Sequence, residues 1–282
     1  MRIAISCEWE REGNKVLVDG TTVSLNKFDP SVDYVVDLGC VFSKLALQYP
    51  PEKRVFAACE PTTYLGLDPD MVTKMGTFYK GLILAWHASL SRLPQTRKFR
   101  MGSSWVSWST KPEDKIFGIG AIFSGKNNAV FPGYAVRRKI LAAENSISIP
   151  SMVFSPSNTW KGIPFDYPLP SKKPSLDFMF HFAIENCSEE GYFTEKIMDC
   201  FITYSVPIYF GDPKIADEFA SEGIILLDQK DIARQVNSFT PDLYWKKIEA
   251  VVENRKRAEK YWHFEDNVVE HIKMEHRRKE TR

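Results

Sequence analysis

The chain has 282 residues, of which 44% are hydrophobic, and it carries 37 basic and 36 acidic residues. This length is sufficient for one large domain or two smaller ones with a sizeable apolar core. Because the charges nearly cancel, no overall field attracts the chain to nucleic acid or to a membrane, so any anion-binding site must be local. The N-terminal apolar run is broken by Glu8, and no segment approaches the roughly 18 apolar residues of a membrane span, so we expect neither a signal peptide nor an anchor.

Cysteine and histidine spacing argues against common metal and nucleophile sites. The five cysteines show no CxxC pair and mostly lie in apolar runs, which predicts reduced thiols in a cytosol-like compartment. The five histidines lie apart, so the sequence indicates neither a zinc site nor a Ser-His-Asp triad. Asp68 and Asp70 have the spacing of a metal-binding DxD motif, but the proline between them predicts a loop.

The first hundred residues alternate strand and helix patterns, which is typical of a Rossmann-like half. Asp19-Gly20 separates two of the strand patterns and predicts a hairpin turn. The predicted strands are residues 3–6, 15–18, 22–25, 33–37, 54–59 and 81–86, and the predicted helices are residues 41–48 and 70–75.

Polar and proline content peaks at residues 111–115, and we place a domain boundary there. The predicted domains are residues 1–112 and 113–262, followed by a basic helix end or loose tail over 263–282. Trp105 and Trp108 lie just before this boundary. They could stack on a sugar, although packing beneath a loop is the interpretation we favour.

The second half repeats the alternation of strands and helices. We expect strands at residues 116–124, 178–184, 208–210 and 224–227, helices at 134–144, 215–220, 229–237 and 241–262, and loops at 125–133 and 155–174. The strand at 178–184 stops at the polar pair Glu185 and Asn186, and Thr194 is a suitable N-cap for the helix that follows.

The chemistry is concentrated where that helix begins. Ligands of open α/β sheets bind beyond the carboxyl ends of the strands, and the first amides of a helix favour an anion. Lys196 adds a positive charge there, whereas Glu195 suits hydroxyl groups of a ribose or a sugar. Phosphate, ribose and sugar together predict a nucleotide sugar as ligand.

Three motifs in this stretch resemble a known family. They are F-x-x-x-x-E-N at residues 180–186, G-Y-x-T-E-K at 191–196 and V-P-I-x-x-G-x-P at 206–213. Together they resemble the donor-binding signature of the α-1,3-fucosyltransferase family (glycosyltransferase family 10-like). The resemblance implies an α/β fold of the GT-B type, with two Rossmann-like domains facing a cleft. The first domain, residues 1–112, would be the acceptor side, and the second, residues 113–262, would bind the nucleotide-sugar donor. The resemblance further implies fucose transfer from GDP-fucose with inversion.

The resemblance also implies roles for individual residues. Tyr192, Glu195 and Lys196 match residues that contact the nucleotide sugar, and the same motifs add Glu185, Asn186 and Thr194 to the donor-binding set. The alternative for Glu195 and Lys196 is a solvated first helical turn, with Tyr192 a loop aromatic.

Two further residues match the family less completely. The segment K-R-V-F-A-A-C-E resembles the one that ends in the family's proposed catalytic base, which would make Glu60 the base; the alternative is an acidic residue at a strand end before a proline turn. Arg137, in R-x-x-I-L, matches the arginine that opens a helix on the nucleotide phosphates, and its planar fork suits phosphate. Arg138 is the alternative residue if the register differs by one. The alternative without a binding role is that both arginines lie on a solvated basic face of the helix.

These observations predict a glycosyltransferase that moves L-fucose from GDP-fucose to an oligosaccharide or glycoprotein acceptor, with no cofactor beyond the donor and no metal ion. One alternative keeps the mechanism with another donor such as UDP-xylose. A second is a catalytically inactive nucleotide- or glycan-binding module. The chain resembles compact bacterial or viral forms of the family, and we expect it in the bacterial or virus-infected host cytoplasm, with at most peripheral membrane association and no nucleic-acid partner.

Overall fold

The structure is a computed structural model, and it describes residues 1–7, 12–126, 128–155 and 172–281. The chain divides into unit 1, Met1–Met101 with His263–Arg282, and unit 2, Gly102–Trp262. The strands are β1 (Ile3–Cys7), β2 (Gly13–Val16), β3 (Thr22–Leu25), β4 (Tyr34–Leu38), β5 (Arg54–Ala57), β6 (Leu82–Ala85), β7 (Thr96–Lys98), β8 (Ile116–Ile122), β9 (Ser151–Phe154), β10 (Phe178–Ile184), β11 (Val206–Phe210) and β12 (Ile225–Leu226). The helices are α1 (Thr62–Leu65), α2 (Pro69–Phe78), α3 (Pro132–Ala142), α4 (Lys173–Leu176), α5 (Glu195–Ile202), α6 (Ile232–Asn237), α7 (Pro241–Ala258) and α8 (Phe264–Glu280).

Unit 1 contains a sheet that, over the described residues, has the order β2-β3-β1-β4-β5-β6-β7. Neighbouring strands are parallel except in the β2–β3 hairpin, whose turn contains the predicted Asp19-Gly20. Every residue of β1 and β4 is buried, as expected for a parallel sheet covered on both faces. The sheet brings the carboxyl ends of β5 and β6 side by side, so the residues that follow them, including Glu60 and His87, lie at one edge.

The C-terminal residues Phe264–Glu280 form the helix α8, where a helix end or loose tail was predicted. Phe264, Val268, Val269 and Ile272 of α8 are buried in the core of unit 1. Their spacing of four, one and three residues places them on one helical face. The basic residues that suggested a tail occupy the other faces, and Lys273 forms an ion pair with Asp19 of the hairpin at 2.6 Å.

Unit 2 contains a parallel sheet with the order β12-β11-β10-β8-β9 over the described residues. The central strand β10 is buried along its whole length, which agrees with its unbroken apolar and aromatic sequence. α5 packs on this sheet and on α7, and together they enclose a core that includes Phe180, Phe201 and Tyr244. The carboxyl ends of β8, β10 and β11 therefore meet beside the start of α5.

The division between the units falls at residue 101, not at the predicted residue 112. Residues 102–111 are bonded to unit 2: Ser103 N donates to the Tyr261 carbonyl at 3.0 Å, and Ser109 Oγ donates to the Ile202 carbonyl at 2.9 Å. Pro112–Asp114 is a short 3-10 turn that leads into β8. Composition identified a turn there, but the hydrogen bonds decide to which unit the segment belongs.

Two elements of unit 1 differ from the prediction. Residues 41–48 form a single 3-10 turn, Ala46–Gln48, because Asp37 and Tyr79 accept hydrogen bonds from the amides of Ser43 (3.0 Å) and Phe42 (2.6 Å). Asp68 caps α2 by accepting from the Met71 amide at 2.7 Å, so the Asp68–Asp70 segment is a helix start, where a loop was predicted.

The predicted strands in both units are present with shifts of a few residues at their ends, whereas β7 and β9 were missed. All but the two ends of the loop predicted over 155–174 lies outside the described residues. None of the helices formed by the described residues is long and apolar enough to cross a membrane.

Candidate functional site

Glu185 is the first residue after β10, and its carboxylate is completely buried. Thr194 surrounds this carboxylate with donors, since its amide lies 2.8 Å from Oε1 and its hydroxyl 2.8 Å from Oε2. Burial of an ionised carboxylate is unfavourable unless it is hydrogen-bonded and paired. Glu185 therefore links β10 to α5 by accepting hydrogen bonds from both donors of Thr194, the N-cap residue of α5. We call the connection formed by residues Glu185, Thr194, Glu195 and Lys196 the β10–α5 joint.

Lys196 completes this joint from the first turn of α5. Its ammonium group donates to Thr194 Oγ1 at 2.9 Å and lies 3.3 Å from Glu185 Oε2 and 3.2 Å from Glu195 Oε1. Thr194 is the N-cap, as predicted, and Glu195 is the first helical residue. The side chain of Lys196 is 25% exposed, whereas the two carboxylates are buried. Because Glu195 is buried, the alternative of a solvated first helical turn is wrong for this residue.

The pKa values of the three groups are coupled. Burial raises the pKa of Glu185, in opposition to Lys196 and Thr194. Burial acts the same way on Glu195, but Lys196 and Lys172 outweigh it and lower the pKa of that carboxyl. The two glutamates overcome the effect of burial on Lys196 and raise the pKa of its ammonium group. Lys196 therefore stays charged at neutral pH and compensates two interior acids.

Arg137 reaches the same end of the sheet from α3. Its Nη2 donates to the Ile184 carbonyl at 2.5 Å and to Asn186 Oδ1 at 2.9 Å, and its Nη1 lies 3.4 Å from Ser124 Oγ. The guanidinium also lies 5.0 Å from the centroid of the Tyr134 ring. Some of the N–H donors of Arg137 are therefore already occupied by hydrogen bonds that link the ends of β8 and β10.

The position of Arg137 differs from the one implied by the resemblance. α3 begins at Pro132, so Arg137 lies in the second turn and does not open the helix. Burial lowers the pKa of its guanidinium, and Glu185 opposes this effect. Arg138 is exposed, so of the two candidate arginines it is Arg137 that faces the joint.

Tyr192 and Asn186 lie beside Arg137. Tyr192 lies in the loop before α5, is 2% exposed and acts on the pKa of Arg137, so it is a loop aromatic whose side chain is buried beside the site. Asn186, which is half-buried, accepts from the Gly133 amide through its carbonyl at 2.9 Å. Asp212 accepts from the Gly191 amide at 2.9 Å and so ties the loop before α5 to the end of β11.

Two glycines, Gly133 and Gly211, allow the close packing of this joint. A Cβ at Gly133 would collide with the backbone carbonyls of Glu185 and Asn186. A Cβ at Gly211 would collide with the Tyr209 hydroxyl and with the Glu185 side chain. Gly211 belongs to the V-P-I-x-x-G-x-P motif, whereas sequence reasoning missed Gly133, whose contacts with Glu185 and Asn186 are long-range and have no local signal.

A cavity of about 250 Å³ lies beyond the end of β11. Its wall includes Gly211, which packs against Glu185, so the cavity adjoins the joint. The other lining residues are mainly apolar and include Tyr209, Asp212, Ile215, Ile224 and Leu227.

In unit 1, Glu60 lies three residues after β5 and is half-buried. Its carbonyl oxygen lies 3.0 Å from Nε2 of His87, which follows β6. Because a carbonyl can only accept, Nε2 carries the proton. Burial lowers the pKa of His87 to about 4, so the ring is neutral at pH 7. Sequence reasoning missed His87, whose nearness to Glu60 follows from the pairing of β5 with β6.

Comparisons with known proteins agree with the motif resemblance. No family profile matches the chain. An α-(1,3)-fucosyltransferase of Helicobacter pylori is 30% identical over 95 residues, which are 33% of this chain and 19% of that protein. A solved α1,3-fucosyltransferase matches 90% of this chain and 82% of its own, with a TM-score of 0.57 and 16% identity.

The chain is similar to α-1,3-fucosyltransferases in sequence and in fold. The solved α1,3-fucosyltransferase with GDP-fucose matches the same shares of the two chains, with a TM-score of 0.54 and 17% identity. The predicted α/β fold of the GT-B type is confirmed. The matched part of the chain spans about a fifth of the length of the Helicobacter pylori relative.

Proposed function

We propose that the chain is an inverting glycosyltransferase that transfers L-fucose from GDP-fucose to a hydroxyl group of an oligosaccharide or glycoprotein. The observation that carries the proposal is the β10–α5 joint, where Glu185, Thr194, Glu195 and Lys196 meet at the start of a helix. The three motifs that resemble the fucosyltransferase signature fall on this joint, in a unit of parallel α/β architecture.

The diphosphate of the donor binds at the first turn of α5. Lys196 already holds oxygen ligands there, the carboxylates of Glu185 and Glu195, and phosphate oxygens can replace them. A hydrogen bond between charged partners contributes about 1.5–3 kcal/mol, and the positive end of the helix adds about 0.3–1 kcal/mol. Glu195, released from Lys196, accepts hydrogen bonds from hydroxyls of the ribose or fucose.

Arg137 acts on the donor mainly through its charge. Its Nη2 already donates to Ile184 and Asn186, which supports a role in fixing the joint and in raising the local positive potential. Glu185 and Glu195 carry two negative charges, and Lys196 and Arg137 carry two positive ones. Because the charges balance, the site favours phosphate only when one carboxylate turns away or takes up a proton. Glu185 takes up a proton more easily than an exposed glutamate, since its pKa is raised.

Transfer itself is a single displacement at the anomeric carbon. The acceptor oxygen forms the new bond as the bond to the β-phosphate breaks, and the electron pair leaves with GDP, which inverts the configuration. Glu60 takes the proton of the acceptor hydroxyl, a contribution of about 10² to 10⁴ in rate. The neutral His87 keeps the backbone at Glu60 in place through its Nε2 hydrogen.

No metal ion is required in this scheme, because Lys196 and Arg137 neutralise charge on the leaving diphosphate. The transfer rate should be unchanged after chelation with EDTA. A rate that disappears with EDTA and returns with Mg²⁺ would refute this part of the proposal.

Calorimetry with GDP-fucose, GDP-mannose, UDP-xylose and GDP tests the donor, followed by an assay for released nucleotide. We expect GDP-fucose to bind and to be hydrolysed slowly, with loss of turnover in Glu195→Gln and no change in Lys139→Ala, which alters an exposed lysine of α3. Turnover of UDP-xylose without turnover of GDP-fucose would show that UDP-xylose is the donor and GDP-fucose is not. Binding without release would indicate an inactive binding module.

A further inference from the structure

Trp105 differs from Trp108, although both lie in the same tryptophan-rich segment. Trp108 packs against the core of unit 2, as the sequence favoured, whereas 67% of the surface of Trp105 is exposed. A single exposed aromatic residue is common on protein surfaces and indicates nothing by itself. Trp105 differs from such residues because a buried carboxylate fixes its backbone by hydrogen bonding.

Asp199 of α5 holds the Trp105 segment in place. This carboxylate is 2% exposed, and it accepts from Trp105 N at 3.0 Å, from Ser104 Oγ at 2.9 Å and from Lys172 Nζ at 2.6 Å. Lys172 Nζ also lies 4.5 Å from the centroid of the Trp105 ring. One buried acid therefore fixes the backbone of an exposed tryptophan together with the cation that lies over its ring.

This arrangement has the chemistry of a sugar subsite. Lys172 lies over one face of the indole, and the exposed part of the ring can pack against the C–H groups of a pyranose, while the ammonium group donates hydrogen bonds to hydroxyls at the edge of the sugar. The side chain of Lys172 is 25% exposed and donates once, to Asp199, among the described residues, so other donors of its ammonium group can serve a ligand.

The platform formed by Trp105 and Lys172 adjoins the β10–α5 joint within unit 2. Asp199 lies one helical turn after Glu195 on α5, and Lys172 is near enough to lower the pKa of Glu195. We infer that Trp105 and Lys172 form a subsite for a pyranose of the acceptor glycan next to the donor site. This inference rests on the proposed function, since it names the partner of the donor site.

The test compares Trp105→Ala and Trp105→Phe with the control Trp245→Ala, which removes an exposed tryptophan of α7. Saturation-transfer NMR measures binding of the methyl β-glycosides of galactose, glucose and N-acetylglucosamine. Any glycoside that the unaltered chain fucosylates is then used to measure the ratio of transfer to hydrolysis of GDP-fucose.

We expect Trp105→Ala to lower glycoside binding and this ratio by about five- to tenfold, Trp105→Phe to restore most of both, and Trp245→Ala to change neither. Equal binding by the unaltered chain and Trp105→Ala, or no binding by either, would overturn the inference. A loss of GDP affinity in Trp105→Ala with glycoside binding unchanged would also overturn it, because the ring would then stack on the base. Failure of the unaltered chain to turn over any donor would refute the proposed function, while the NMR comparison would still decide the subsite.

Discussion

Replacing Lys196 with methionine should destabilise the fold as well as the donor site. Lys196 is the cation within 3.3 Å of both Glu185 and Glu195, and these carboxylates are 0% and 7% exposed. Removing one partner of a buried ion pair leaves the other uncompensated and costs about 3–5 kcal/mol. Urea unfolding at pH 7 should therefore show Lys196→Met less stable than Lys139→Met, an exposed control, by that amount.

The loss should depend on pH in a defined direction. Burial already raises the pKa of Glu185 above its ordinary value of 4.5, and without Lys196 it rises further. A carboxyl whose pKa is higher in the folded state binds its proton more tightly there than in the unfolded chain. The destabilisation is then fully present at pH values above the folded pKa, and it decreases as the pH falls toward 4.5.

The double variant Glu185→Gln with Lys196→Met provides the internal check. Glutamine can still bond to Thr194, and it removes one of the two buried charges that Lys196→Met leaves without this lysine, so the double variant should be more stable than Lys196→Met alone. A Lys196→Met variant that loses less than 1 kcal/mol, with no dependence on pH and no recovery in the double variant, would refute the assignment of Lys196 as counter-ion.

Three further variants examine other parts of the account. Glu60→Gln should lower the transfer rate about 10²- to 10⁴-fold with unchanged calorimetric affinity for GDP-fucose, and a normal rate would exclude Glu60 as the base. Phe264→Ala should lower the free energy of unfolding by about 3–5 kcal/mol, since the ring is buried in unit 1; a neutral result would return α8 to the status of a tail. Gly133→Ala should prevent normal folding because its Cβ would meet backbone carbonyls, whereas Gly13→Ala, with open space around it, should be tolerated by circular dichroism and thermal melting.

The β10–α5 joint was the most predictable part of the molecule. The unbroken apolar run of residues 178–184 identified a central parallel strand, and Thr194 had the side chain and position of an N-cap. Local sequence was sufficient there because the strand end, the cap and the charged first turn are near in the chain. The structure brings Arg137 to the same place, although in the second turn of its helix.

Other features were not predictable because they depend on contacts between distant residues. α8 resembles a basic tail in sequence until its four apolar positions are matched to a core made by strands β1 and β3 to β6, which lie far earlier in the chain. The hydrogen bonds of Ser104 and Trp105 to Asp199 place residues 102–111 in unit 2, against the composition signal at 111–115. The sequence also predicted a helix start with a net positive charge. In the structure the carboxylates of Glu185 and Glu195 are buried beside Lys196 and Arg137, and their negative charges balance the two positive ones.

The most direct measurement of the central claim is calorimetric titration of GDP-fucose into the unaltered chain and into the double variant Glu185→Gln, Lys196→Met. The double variant removes one charge of each sign, so the net charge of the joint is kept while the lysine is lost. We predict binding by the unaltered chain and an affinity about 10- to 150-fold lower in the double variant, the equivalent of one charge-assisted hydrogen bond. Equal affinities, or no binding of GDP-fucose to the unaltered chain, would contradict the claim that this joint binds the donor diphosphate.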